Sequence, residues 1–405
     1  MRGRRPVPPR DSAPERRAPA PFPPRPTVPS RLPGPRRPTG RREPGGITRA
    51  AGLLAGLAAL SAGGLVAGLE LERRIVSRTS RSGPSSPEDF FSLRSSGPGV
   101  TTTDGLVLHT EIDELADHEP RPGAGAVYPE LTVVLVHGYA LSLDCFHFQR
   151  KHLRGRARLV LYDQRSHGRS PAAPAETCRI DQLGDDLFAV LQQTGVTGPV
   201  VLIGHSMGGM TIMNLARRHP ELFGDLVQGV VLISTSPADM AEHSPIRGIP
   251  GRAFSRVVPP LLTVLNRVPE VIARTRRAGS DLAFVATKQF AFGSDVPPDY
   301  VEFVGDMIAE TPLQVVADFY PAFSELDELD AFPVLAGVET AVIGGQDDAM
   351  TPVEHTEVII DLLPGADALV LENSGHLALI EHHVQVDEVL DALLVRVERN
   401  HRERD

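Results

Sequence analysis

The chain has 405 residues, enough for one large domain or two with ample core, and 41% of them are hydrophobic, as in a globular body. The net charge of −10 hides a split: residues 1–81 carry 17 arginines against 5 acids, a net of +12, which leaves the remainder at −22. An acidic body argues against a nucleic-acid partner. Two cysteines, Cys145 and Cys178, are too few for a disulfide framework or a thiolate metal site, and they read as isolated buried thiols, with one bridge between them as the alternative.

Residues 1–46 hold 14 prolines and 12 arginines and almost no large apolar residue, so residues 1–49 are expected to be a disordered Arg/Pro-rich tail. Residues 50–69 then run for twenty positions without a charge, long enough as a helix to cross a bilayer core of ~30 Å. Three readings stay open: a transmembrane anchor, a secretory signal with a long basic start, or a helix of a soluble protein. The anchor is the working expectation. The arginines before it would stay in the cytoplasm and put the body outside, although Arg73, Arg74, Arg78 and Arg81 on the far side oppose that orientation. Secretion or a cytoplasmic location are the alternatives. Residues 70–99, rich in Ser, Arg, Pro and Gly towards their end, are expected to be a linker. The strong preference for arginine over lysine (only Lys151 and Lys288) suggests a GC-rich, bacterial genome.

The body follows. Positions 100–103 and 106–112 flank Asp104-Gly105, a hairpin signal. Runs at 131–136, 158–162, 200–203, 230–234, 340–343 and 368–371 are continuously apolar or nearly so, as expected of strands buried on both faces of a parallel sheet. Between them, Leu183, Leu187 and Leu191 recur at helical spacing, and Val384, Val389, Leu390, Leu393, Leu394 and Val397 predict a closing helix. Alternating buried strands and amphipathic helices define an α/β sheet with helices on both faces. About a hundred residues, 237–336, lack any buried-strand run; apolar spacing at 257–271, 282–292 and 313–323 predicts a helical insertion there, over the sheet's carboxyl edge.

The stretch at 200–209 reads VVLIGHSMGG: an apolar strand, then Gly204-His205-Ser206-Met207-Gly208, then helical spacing. Serine between two glycines at a strand-to-helix junction is the nucleophile-elbow signature, because a turn this sharp leaves no room for a Cβ beside it. Around it lie His137-Gly138 after one strand, Asp163-x-Arg165-x-x-Gly168-x-Ser170 after the next, Gly345-x-x-Asp348-x-x-x-Pro352, and a late Ser374-Gly375-His376. In this order and spacing the motifs resemble the α/β-hydrolase fold superfamily, in particular its capped subgroup of esterases, carbon–carbon-bond hydrolases and cofactor-free haloperoxidase-type enzymes. The resemblance covers roughly residues 100–398. It implies a mostly parallel eight-stranded sheet, with the core at 100–236 and 337–400 and a helical cap at 237–336.

The resemblance also implies roles. Ser206 is the nucleophile, since a hydroxyl needs a base within hydrogen-bond reach to attack anything. His376 is that base, with His382 and His383 as weaker candidates in the closing helix. Asp348 is the acid that fixes its tautomer, with Asp347 the near competitor. The backbone N–H groups of Tyr139 and Met207 are the oxyanion donors, and Gly204 and Gly208 make the elbow. His137, Asp163, Arg165 and His205 are expected to organise loops. No metal spacing, P-loop or dinucleotide fingerprint is present, so no cofactor is expected. The leading expectation is a serine hydrolase cleaving an ester-like bond of an apolar small molecule through an acyl-enzyme. A carbon–carbon-bond hydrolase or perhydrolase uses the same triad; the first typically carries a tryptophan near its site, and this chain has none. A non-catalytic binding protein on the same fold is the third reading. Oligomeric state is not legible.

Overall fold

The continuous apolar runs become strands because both of their faces are covered. In β4 (Thr132–Val136), β6 (Val200–His205) and β7 (Val227–Ile233) every residue is buried. Alternate side chains feed two separate cores: Val133, Leu135, Val201, Ile203, Val231 and Ile233 on one face, Val134, Val136, Val200, Leu202, Val230 and Leu232 on the other. This is a computed structural model, and it describes residues 84–120, 125–240 and 280–404. The expected tail, the candidate membrane span at 50–69 and the cap positions 257–271 lie outside the described residues. Among those described, no helix is long and apolar enough to cross a membrane.

The sheet has seven strands in the order β3-β5-β4-β6-β7-β8-β9, where β3 is Thr110–Asp113, β5 Arg158–Tyr162, β8 Glu339–Gly345 and β9 Asp367–Leu371. Every neighbouring pair is parallel except β3 with β5. The eight strands expected are therefore not found among the described residues. The hairpin explains the difference: β1 (Val100–Thr101) and β2 (Val107–Leu108) pair only with each other, and the chain re-enters the main sheet one residue later as its antiparallel edge. Strand order reverses between β4 and β6, which opens a crevice beyond their carboxyl ends, where ligands bind in open α/β sheets.

Helices cover both faces. On the side of Val134 and Leu202 lie α2 (Ile180–Gln193) and α3 (Met207–Arg218), with α1 (His147–Leu153) on the other. The closing helix buries Val386, Leu390, Leu393, Leu394 and Val397 against that second face, but Val384 from the expected pattern is 55% exposed. Cys145 and Cys178 are free and buried, as expected.

The described part of the cap is helical: α4 (Ser280–Ala291), α5 (Pro298–Glu310), α6 (Leu313–Ser324) and the short α7 (Phe332–Leu335). Helix α5 was missed from sequence, although Val301, Val304 and Met307 sit at helical spacing and are buried. After β8 come α8 (Val353–Leu362), then α9 (Ala378–Glu381) and α10 (His383–Arg402).

Residues 84–99 depart from the linker expected of them. Phe90 stacks on Phe303 of α5 at 4.2 Å and meets Phe148 of α1 edge-on, so this segment straps the cap to the core. Ser86 N donates to Asp299 Oδ2 at 2.9 Å, and Ser95 N donates to Glu111 Oε2 at 2.9 Å. Glu111 and Asp113 in turn hold the buried Arg150 guanidinium at 2.7 Å each. A buried cation needs such partners, and two carboxylates supply them.

Candidate active site

The elbow is held by its backbone. Ser206 has φ 54° and ψ −118°, a strained conformation for a residue with a Cβ. Its N–H donates to Ile233 O at 2.9 Å, and its carbonyl accepts from Thr235 Oγ1 at 2.7 Å and from Gly209 N at 2.9 Å. The flanking glycines are steric necessities: a Cβ on Gly208 would stand 1.9 Å from Val136 O, and one on Gly204 would stand 2.6 Å from Gly208 O. Ser206 is 8% exposed, at the N-terminus of α3, the positive end of that helix.

The loop after β4 lies directly against the serine. A Cβ on Gly138 would meet Ser206 Cβ at 3.1 Å and His205 Nδ1 at 2.7 Å. Tyr139 follows, and its N–H, like that of Met207, has no acceptor among the described residues. Unpaired backbone donors beside a cleft are rare enough to need a reason. His137 is structural, as expected: Nδ1 donates to Gly138 O at 2.7 Å, Nε2 accepts from Gln164 N at 2.9 Å, and burial pushes its pKa down to about 4. Asp163 accepts Leu143 N and Arg169 N, and Arg165 is paired with Asp186 and Asp104, so both organise loops.

Asp348 and His376 meet beyond β8 and β9. His376 Nδ1 donates to Asp348 Oδ2 at 2.9 Å. The same oxygen accepts from Thr351 Oγ1 at 2.8 Å, and Oδ1 accepts from Met350 N and Thr351 N at 2.8 and 2.9 Å. Burial pushes the Asp348 carboxyl up, but the imidazole and the Thr351 bonds outweigh it and hold the group below its ordinary value. With Nδ1 carrying the proton, Nε2 has the free lone pair. Asp347 is exposed, and its N–H donates to Ser374 O at 2.9 Å, which ties the two loops together. His383 is not a rival base: it stacks on Phe148 at 3.9 Å.

The elbow and the histidine loop touch through His205, whose Nε2 donates to His376 O at 3.0 Å, with the two rings 4.9 Å apart. The Ser206 hydroxyl and the His376 imidazole share no hydrogen bond in this structure. Such contacts are commonly long without substrate and tighten when it binds.

The cap reaches the site from above Tyr139. Phe323 of α6 packs edge-on against the Tyr139 ring at 5.0 Å, and the Tyr139 hydroxyl donates to Val316 O. Phe319 and Phe303 are buried against His167 and Phe90, and so pack between the cap and the body beneath it. Among the described residues no group of His, Cys, Asp or Glu has the arrangement of a metal site.

A strained serine at the carboxyl end of β6, the fourth of the seven strands across the sheet, with an aspartate–histidine pair beyond the last two strands, defines a class. Residues 133–389 match the alpha/beta hydrolase family, more than half of the chain, and the protein belongs to that family. Among its relatives, the sn-1-specific diacylglycerol lipase of Mus musculus is 28% identical over 302 residues, spanning 72% of this chain and 86% of that protein. The pimeloyl-[acyl-carrier protein] methyl ester esterase of Aeromonas hydrophila is 24% identical, spanning 64% and 93%. A thermophilic esterase from Thermogutta terrifontis superposes with a TM-score of 0.54 at 25% identity, covering 76% of this chain and all of that one. These relatives support a hydrolase acting on ester-like bonds.

Two residues that bear on the site were not singled out from sequence. Thr351 lies three positions beyond Asp348, a spacing that signals a local side-chain turn. Glu381 binds groups nearly ninety positions away, and no local pattern announces that.

Proposed function

We propose that this protein is a serine hydrolase that cleaves an ester-like bond of an apolar small molecule through an acyl-enzyme. The observation that carries the reading is the Asp348–His376 bond of 2.9 Å, which leaves the lone pair on Nε2, in a loop tied to the residue before the strained Ser206 by the His205–His376 bond of 3.0 Å. Ser206 Oγ attacks the acyl carbonyl while His376 Nε2 takes its proton. The oxyanion that forms is met by the N–H groups of Tyr139 and Met207, whose lack of internal acceptors fits that use. The C–O bond to the alcohol breaks, His376 returns the proton to the leaving oxygen, and water, activated by the same imidazole, releases the acid. Asp348 stays ionised and stabilises the imidazolium.

Turnover of short-acyl aryl esters and labelling by a fluorophosphonate are the test. Ser206→Ala is expected to abolish labelling and lower kcat on the order of 10⁴–10⁶-fold. Unchanged turnover in that variant refutes the mechanism.

The proposal extends to location: residues 50–69 anchor the chain in a membrane, with the body on the extracytoplasmic side. Full-length protein is expected in the membrane fraction and a fragment of residues 82–405 in the soluble one. Unprocessed full-length protein that stays soluble without detergent ends that part of the reading.

A further inference from the structure

The far end of the histidine loop is bound to the cap by a single carboxylate. Glu381, the last residue of α9, accepts Gly375 N through Oε2 at 2.8 Å and Gly293 N through Oε1 at 3.0 Å, and it also accepts Ser294 N. Gly375 directly precedes His376. Gly293 and Ser294 follow Phe292 at the exit of cap helix α4. The two backbones cross in contact: a Cβ on Gly293 would stand 2.7 Å from Ser374 C, and one on Gly375 would stand 2.6 Å from Phe292 C. A second bond closes the crossing from the other side, Leu377 N to Ala291 O at 2.9 Å. His376 thus stands between two residues whose amides are fixed by, or through, the cap.

Resting on the triad reading above, we infer that Glu381 is a positioning residue that makes the placement of the His376 imidazole depend on the placement of the cap. The cap also grips the opposite side of the site through Tyr139. A substrate that settles the cap therefore acts on the base and on the oxyanion loop together. The bond still open between His376 and Ser206 is the one such an adjustment would close. A carboxylate is suited to the post because it has two acceptor oxygens and no donor, facing three N–H groups. Glutamine has the same shape but one acceptor fewer, and it turns an N–H₂ towards a backbone N–H.

The test compares wild type, Glu381→Gln and Ser206→Ala. In E381Q, kcat on a short-acyl aryl ester and the rate of fluorophosphonate labelling are expected to fall about tenfold, the loss of a charge-assisted hydrogen bond, with KM unchanged within about twofold. Hydrogen exchange is read in parallel on peptides covering 291–295 and 374–377. In the wild type both segments are expected to open together, and in E381Q both to exchange faster. E381Q that folds and keeps wild-type kcat overturns the inference. So does a wild type in which the two segments open at rates about tenfold or more apart, a reading that needs no variant to fold. Turnover that survives in S206A sinks the triad and leaves the exchange result to decide the coupling.

Discussion

At the elbow, residues 200–209, position is set by backbone: a strained φ/ψ, four bonds to the Ser206 amide and carbonyl, and glycines that admit no substituent. In the histidine loop, residues 373–381, backbone bonds at Ser374 and Leu377 are joined by side chains that set the imidazole: Asp348 and Thr351 on one flank, Glu381 on the other. Backbone devices fix the serine whatever is bound. Side-chain devices fix the imidazole only as well as their own elements are fixed, and one of those elements is the cap. Ser206 is rigid by construction and the His376 imidazole is adjustable, which fits a site where the hydroxyl and the imidazole share no bond.

The largest effect comes from breaking the histidine side. Asp348→Asn removes the charge behind the imidazole and offers Nδ1 a donor where it had an acceptor, so the tautomer with a free Nε2 is lost. A fall in kcat of about 10⁴-fold is expected at neutral pH, with the melting temperature little changed. Steady-state kinetics check it, and a loss below about tenfold means that another group orients His376.

Breaking the elbow side should instead cost stability. In Gly208→Ala the new methyl meets the Val136 carbonyl, a backbone atom that cannot swing aside. About 3 kcal/mol or more is expected from urea unfolding, together with lost labelling of Ser206. A variant as stable as wild type would show that the turn has slack.

The smallest effect sharpens the comparison through pH. Burial lowers the pKa of His205 to about 3, His167 to about 3 and His137 to about 4. All three surround the elbow and its neighbouring loops. Each takes up a proton on unfolding at any pH between its folded value and the unfolded value of ~6.5, so the stability they confer is complete above about 6.5 and drains away as pH falls. The expected slope is about 1.4 kcal/mol per pH unit for each histidine in that window. Asp387, raised by burial to about 7, pulls the other way above the unfolded carboxylate range, and reduces the net slope. Urea unfolding at pH 4.5, 5.5 and 6.5 checks the sign. Stability that stays flat or rises towards pH 4.5 would mean that these rings are not buried neutral.

Much of this was legible from the chain itself. The strands buried on both faces announce themselves as apolar runs, and the leucines at every fourth position, Leu183, Leu187 and Leu191, all lie buried in one helix, Ile180–Gln193. Ser206, Asp348 and His376 carried motif context, and Asp348 could be separated from Asp347 by its place ahead of Pro352. What escaped was long-range. Nothing near Glu381 says that it faces Gly293, and nothing near Phe90 says that it faces Phe303. The edge strand at 110–113 was merged with the hairpin because the one-residue break between β2 and β3 changes the pairing partner without changing the apolar pattern.

The strap at 84–99 bears on where the folded body starts. The motifs place its beginning near residue 100, yet Phe90 supplies one wall of the cluster that seats α5, and Glu88 holds both His147 and Lys151 on α1. A fragment cut at the hairpin would leave Phe303 and Phe148 facing water and the insertion loosened from its base. The segment ahead of the hairpin is thus a working part of the folded body, and its removal would be felt first where the insertion is seated.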